Sequence, residues 1–162
     1  MDSFEVHREL QEGRYKLREI FCGLDNVQSL GTHLGDTSLK QILDGTEVTI
    51  SNEADYMYVN DVDGSLVLGL EYLRTGEDHY LYLDIIHELI HVKQYLDGRK
   101  LFDESYSYVD RPTEIEAYQF TVNEARKIGM SDEAIAEYLY VEWITRPDHR
   151  RLLRTLGVQA KK

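Results

Sequence analysis

One cysteine, Cys22, stands in a chain of 162 residues. It can close no intrachain disulfide and build no cysteine-rich zinc cage, which fits a reducing compartment. Two prolines and eleven glycines exclude collagen-like repeats and long Pro/Gly-rich disordered stretches. No window reaches the roughly 20 apolar residues of a membrane-spanning helix, and Met1-Asp2-Ser3-Phe4-Glu5 lacks the basic start and apolar stretch of a signal peptide. Bases are scarce as well. Eighteen Lys and Arg face thirty Asp and Glu, a formal net charge of -12, and such a surface repels phosphate backbones and anionic headgroups. The sequence therefore predicts a soluble, cytoplasmic protein with neither a nucleic acid nor a membrane as partner.

With 42% hydrophobic residues and a length typical of one folding unit, residues 1–162 read as a single domain. Apolar spacing from Phe4 to about Leu24 predicts an N-terminal helix, broken in its stripe by Gly13 and Tyr15. Residues 25–37 have the composition of a loop, with a short helix expected from Ser38 to Leu43. Glu47–Ile50, Tyr56–Val59 and Ser65–Leu73 are β-branched, aromatic or apolar, and predict three short strands, two of them a hairpin. Helical patterns then return over residues 78–96, 111–128, 131–144 and 148–156. Gly98, Gly129 and Gly157 stand where helices end, and Ser131 stands where one begins. Helices, then strands, then helices make an α+β fold.

The helix over 78–96 carries His87-Glu88-Leu89-Ile90-His91. Residues four apart share a helix face, so the two imidazoles can share a metal ion, and the intervening carboxylate can reach a water on it. The neighbours Ile85, Ile86, Leu89, Ile90 and Val92 are apolar, so the segment is expected to be buried. Two histidines and a glutamate in such a setting are costly unless something compensates them, and a cation does so. The alternative is an exposed motif with Glu88 solvated or paired to Lys93.

A third ligand is expected from Arg111-Pro112-Thr113-Glu114-Ile115-Glu116-Ala117-Tyr118. At about 100° per residue, Glu114 lies near the middle of the arc defined by Ile115, Ala117, Tyr118, Val122, Ala125 and Ile128. Glu116 lies instead with Gln119, Asn123 and Lys127, where a carboxylate is easily solvated. Glu114 is therefore the expected ligand, although a carboxylate in a first helical turn also gains from the macrodipole alone.

His-Glu-x-x-His followed by a second helix with Glu-x-x-Ala resembles the gluzincin metallopeptidases, among them the minimal gluzincins and the ImmA/IrrE-type proteases. The resemblance covers residues 78–128. It implies a zincin-like fold in which a small three-stranded sheet packs on the active-site helix between N-terminal and C-terminal helices. It also implies one Zn2+ held by His87, His91 and Glu114, with Glu88 as general base in hydrolysis of a peptide or protein substrate. Many gluzincins have Asp or Asn after the Ala of the second motif. Here that position is Tyr118, so the partner that orients a histidine ligand is open, with Asp84 and Tyr118 as candidates.

The connection 98–111 is long enough to act as a lid or binding loop. With it, Tyr106, Tyr108, Arg111 and the more distant His149 are candidates for stabilising an oxyanion or contacting substrate. An extended peptide is expected to pair with the small sheet along Ser65–Leu70. Cys22 reads as a buried free thiol rather than a blocking ligand for zinc, and His7, His33 and His79 as surface residues. Two alternatives to a general peptidase are a non-catalytic zinc-stabilised interaction domain and a narrow-specificity regulatory protease that cuts one repressor. Glu88 and the lack of cysteine near the motif favour catalysis over a closed structural site.

Overall fold

The computed structural model describes residues 1–160 and divides the chain into two compact units, one spanning Met1–Arg99 and the other beginning at Lys100. Eight α-helices and two sheets occur among the described residues, an α+β fold.

The first unit holds six strands and five helices. In chain order they are β1 (Glu5–Val6), β2 (Gly13–Lys16), α1 (Leu17–Ile20), β3 (Phe21–Cys22), α2 (Gln28–Leu34), α3 (Asp36–Gly45), β4 (Glu47–Ser51), β5 (Met57–Val59), β6 (Leu66–Gly69), α4 (Leu70–Thr75) and α5 (Asp78–Leu96). The main sheet runs β2-β4-β6-β5. β4 and β6 are parallel, while β2 on β4 and β5 on β6 are antiparallel. Strand alternation sets which side chains enter the core: Val48 and Ile50 on β4, Met57 and Val59 on β5, and Leu66 and Leu68 on β6 are buried, while Tyr58 points outward. α5 packs on β5 and on α3.

The N-terminal segment departs from the helix that its spacing predicts. Only Leu17–Ile20 is helical; the flanking residues pair as strands, with Tyr15 opposite Val48 and Val6 opposite Phe21. Leu17, Ile20, Phe21 and Leu24 are still buried, so the apolar residues do face the core. Pairing with β4, available only from a distant part of the chain, overrides the local period. Residues 25–37, expected as loop, are mostly helical. Leu30, Leu34 and Leu39 form the buried stripe of α2 and α3, and the Asp, Ser and Thr that suggested a loop cover the exposed side.

The sheet has four strands rather than three because β2 joins it from that N-terminal segment. The strand order also corrects the expected docking edge. β6 lies between β4 and β5 and is hydrogen-bonded on both sides, so residues 65–70 offer no free ladder to an incoming peptide; β2 and β5 are the edge strands.

The second unit contains α6 (Pro112–Lys127), α7 (Asp132–Tyr138) and α8 (Arg146–Leu156). The Ser131 hydroxyl accepts from the Ala134 N–H at the start of α7, as the sequence predicts, and Thr145 caps α8 in the same way. α7 stops at Tyr138, short of Ile144, and residues 139–144 continue as hydrogen-bonded turns. The segment before α6 is less open than expected. It includes a 3-10 turn at Tyr108–Asp110, and Leu101 and Val109 are buried in it. α5, α6 and α8 all end on a glycine with positive φ: Gly98, Gly129 and Gly157. At Gly98 the Arg99 N–H reaches the Gln94 carbonyl (3.0 Å) and the Gly98 N–H reaches Tyr95 (2.9 Å), the paired bonds of a Schellman turn.

Candidate metal centre

α5 is apolar on almost every side. Leu81, Leu83, Ile85, Ile86, Leu89 and Ile90 are fully buried, so the polar residues among them are carried inside with the helix. His87, Glu88 and His91 are 6%, 8% and 5% exposed, which removes the exposed-motif alternative. One turn of helix brings the two rings edge to face, with centroids 4.7 Å apart. Their Nε2 atoms are 3.0 Å from each other.

Glu114 occupies the first turn of α6, two residues after Pro112 at the helix start, and is 4% exposed. Glu116 is half-exposed. The helical-face argument thus separates the two glutamates correctly. One ligand atom from each of His87, His91 and Glu114 lies within 4.8 Å of the other two. This buried group could bind a metal ion. Two tetrahedral ligands at about 2.0–2.1 Å from a common zinc would stand about 3.4 Å apart. The imidazole nitrogens differ from that spacing by a few tenths of an ångström, and two imidazoles with a carboxylate suit a divalent ion in their chemistry.

His91 has a buried partner that the sequence reading does not name. His91 Nδ1 donates to Gln94 Oε1 at 2.7 Å, and Gln94 is 2% exposed. The sequence carries a signal for it, the i,i+3 spacing on one helix face, but a glutamine near a helix end reads equally well as a surface residue. Asp84 accepts a hydrogen bond from the Tyr72 hydroxyl. Burial, and then the negative charge of Asp84, push that phenol well above its ordinary range. The Tyr118 hydroxyl lies 2.6 Å from the Tyr108 hydroxyl.

Of the remaining candidates, Arg111, Tyr108 and His149 make contacts within the second unit. Arg111 donates from Nε to the Asp103 carbonyl (3.3 Å) and stands over the Tyr108 ring at 5.8 Å. The Tyr108 ring also meets Trp143 edge to face. Tyr106 is exposed. His149 Nε2 donates to the Ala136 carbonyl at 2.7 Å, with its ring against Tyr140. In the first unit, Cys22 is half-buried rather than buried. Its thiol donates to the Arg18 carbonyl (3.8 Å) and lies 3.9 Å from His7 Nε2.

Comparison with known proteins returns no matching family model, no matching curated protein and no matching solved structure. The likeness to gluzincins therefore stands on the two motifs and on the cluster their residues form.

Proposed function

We propose that this protein is a zinc-dependent metallopeptidase of gluzincin type, acting on a peptide or protein substrate. The observation that carries the reading is the convergence of three buried donors, His87, His91 and Glu114, with a buried carboxylate, Glu88, directly after the first. Two imidazoles and a carboxylate are a donor set that zinc takes, and a carboxylate next to them can reach a water on the ion.

In this reading His87, His91 and Glu114 would hold the ion. Zinc in such a setting supplies Lewis acidity, bringing a water to an effective pKa near about 7 and polarising a carbonyl. Glu88 accepts the proton of the attacking water and returns one to the departing amine. Its burial keeps bulk water from competing for that proton. An extended substrate pairing with the main sheet would do so along edge strand β5, which packs on α5.

The same donor types, two histidines and a carboxylate, also suit non-haem iron, so metal identity is part of the test. Metal content of the purified protein is measured for wild type and Glu88→Gln, and both are given a peptide library. The reading expects one zinc per chain in each, with cleavage by wild type reduced about 100- to 10,000-fold in the variant. Zinc in both with cleavage by neither would favour a metal-stabilised binding domain or a protease restricted to one substrate. Iron in place of zinc would contradict the peptidase reading.

A further inference from the structure

We infer that Gln94 is a positioning residue for the metal centre: its carboxamide oxygen fixes His91 in the tautomer that presents the Nε2 lone pair to the ion. The inference rests on the reading of His87, His91 and Glu114 as metal ligands. It adds a residue that neither motif contains.

Gln94 follows His91 by three residues on α5, close to one turn along the same face. Its Oε1 lies 2.7 Å from His91 Nδ1. A carboxamide oxygen has lone pairs and no proton, so the ring nitrogen facing it must carry the hydrogen. A neutral imidazole has one N–H, which leaves Nε2 of His91 as an acceptor. That is the atom 3.0 Å from His87 Nε2. The opposite tautomer would set a lone pair against the Gln94 oxygen and a proton where the ion belongs.

The glutamine is itself held firmly. It is 2% exposed, and no buried side-chain nitrogen or oxygen among the described residues lacks a hydrogen-bond partner. Its backbone carbonyl accepts the Arg99 N–H in the turn that closes α5, so the helix end is fixed around it. A metal-ligating histidine commonly gives its second N–H to such a partner, and removing the partner weakens metal binding about 10- to 100-fold. A carboxamide performs this task without adding a buried negative charge to a site that already holds Glu88 and Glu114.

The test compares wild type, Gln94→Leu and Gln94→Glu. Zinc affinity of the metal-free proteins is measured by competition with a chromophoric chelator. The His91 tautomer is read from long-range 1H–15N correlations in the metal-free state, and circular dichroism checks the fold. Expected are an Nδ1–H tautomer in wild type, about 10- to 100-fold weaker zinc binding in Gln94→Leu, and recovery of both features in Gln94→Glu, whose carboxylate accepts the same proton. Wild-type His91 protonated on Nε2 would overturn the inference without any variant. So would a folded Gln94→Leu that binds zinc as tightly as wild type, and that result would leave the metal-centre reading standing. Wild type with no measurable zinc affinity would overturn both.

Discussion

At the scale of single residues, the site depends on which of two glutamates points inward. Glu114 and Glu116 are two positions apart in α6 and identical in chemistry, yet one is 4% exposed and the other half-exposed. The first turn of a helix favours a carboxylate through the macrodipole, but that effect is worth only about 0.3–1 kcal/mol at the surface. A carboxylate bound directly to a metal ion would matter more than that. Glu114→Gln is therefore expected to weaken zinc binding by at least about 100-fold, more than loss of a supporting contact would. Glu116→Gln should leave it within about twofold. Equilibrium zinc titration of the two variants checks the contrast; equal affinities would place the ligand elsewhere.

At the scale of elements, legibility followed the range of the interactions that decide each segment. α5 and α6 fall within a residue or so of where the sequence puts them, because an apolar stripe and a terminal glycine are both local signals. The site was readable for the same reason, since both motifs sit on those helices and helical periodicity alone orients His87, His91 and Glu114. β2 was not readable. Gly13-Arg14-Tyr15-Lys16 becomes a strand because β4, more than thirty residues later, offers it a partner at Tyr15↔Val48, and nothing within the segment announces that pairing. β6 is interior for a similar reason, because its parallel pairing with β4 at Val48↔Leu66 joins segments that no local signal connects. Gln94 was hidden differently: its spacing from His91 was visible, but only burial distinguishes a partner of that ring from a solvated glutamine. The resting places of Asp84 with Tyr72 and of Tyr118 with Tyr108 depend on contacts between elements, which spacing along one helix does not report.

At the scale of the whole molecule, the excess of acid is partly organised into ion pairs. Hydrogen bonding from Arg18 holds Asp25 below the usual carboxylate range; Lys40 and then Arg18 do the same for Asp44, and Arg151 for Asp110. At Asp132 the Gln159 N–H contributes most, followed by Arg126. A carboxylate whose folded pKa is depressed contributes stability that is present above its unfolded pKa, near about 4, and is lost as pH falls through the lowered folded value. These groups are exposed, so each contributes little and salt screens them. The urea unfolding midpoint is expected to fall as pH drops from about 5 to about 3, and by less in high salt; a midpoint that rises on acidification would contradict this assignment.

The central claim is that two imidazoles of α5 and the first-turn carboxylate of α6 hold one ion together. Zinc K-edge X-ray absorption on the zinc-loaded protein tests it most directly, because it reports the ligands themselves. The account predicts one zinc per chain with two imidazole nitrogens and carboxylate oxygen in its shell, at about 2.0–2.2 Å. A shell of water oxygens alone, a sulfur neighbour, or no zinc retained after desalting would contradict it.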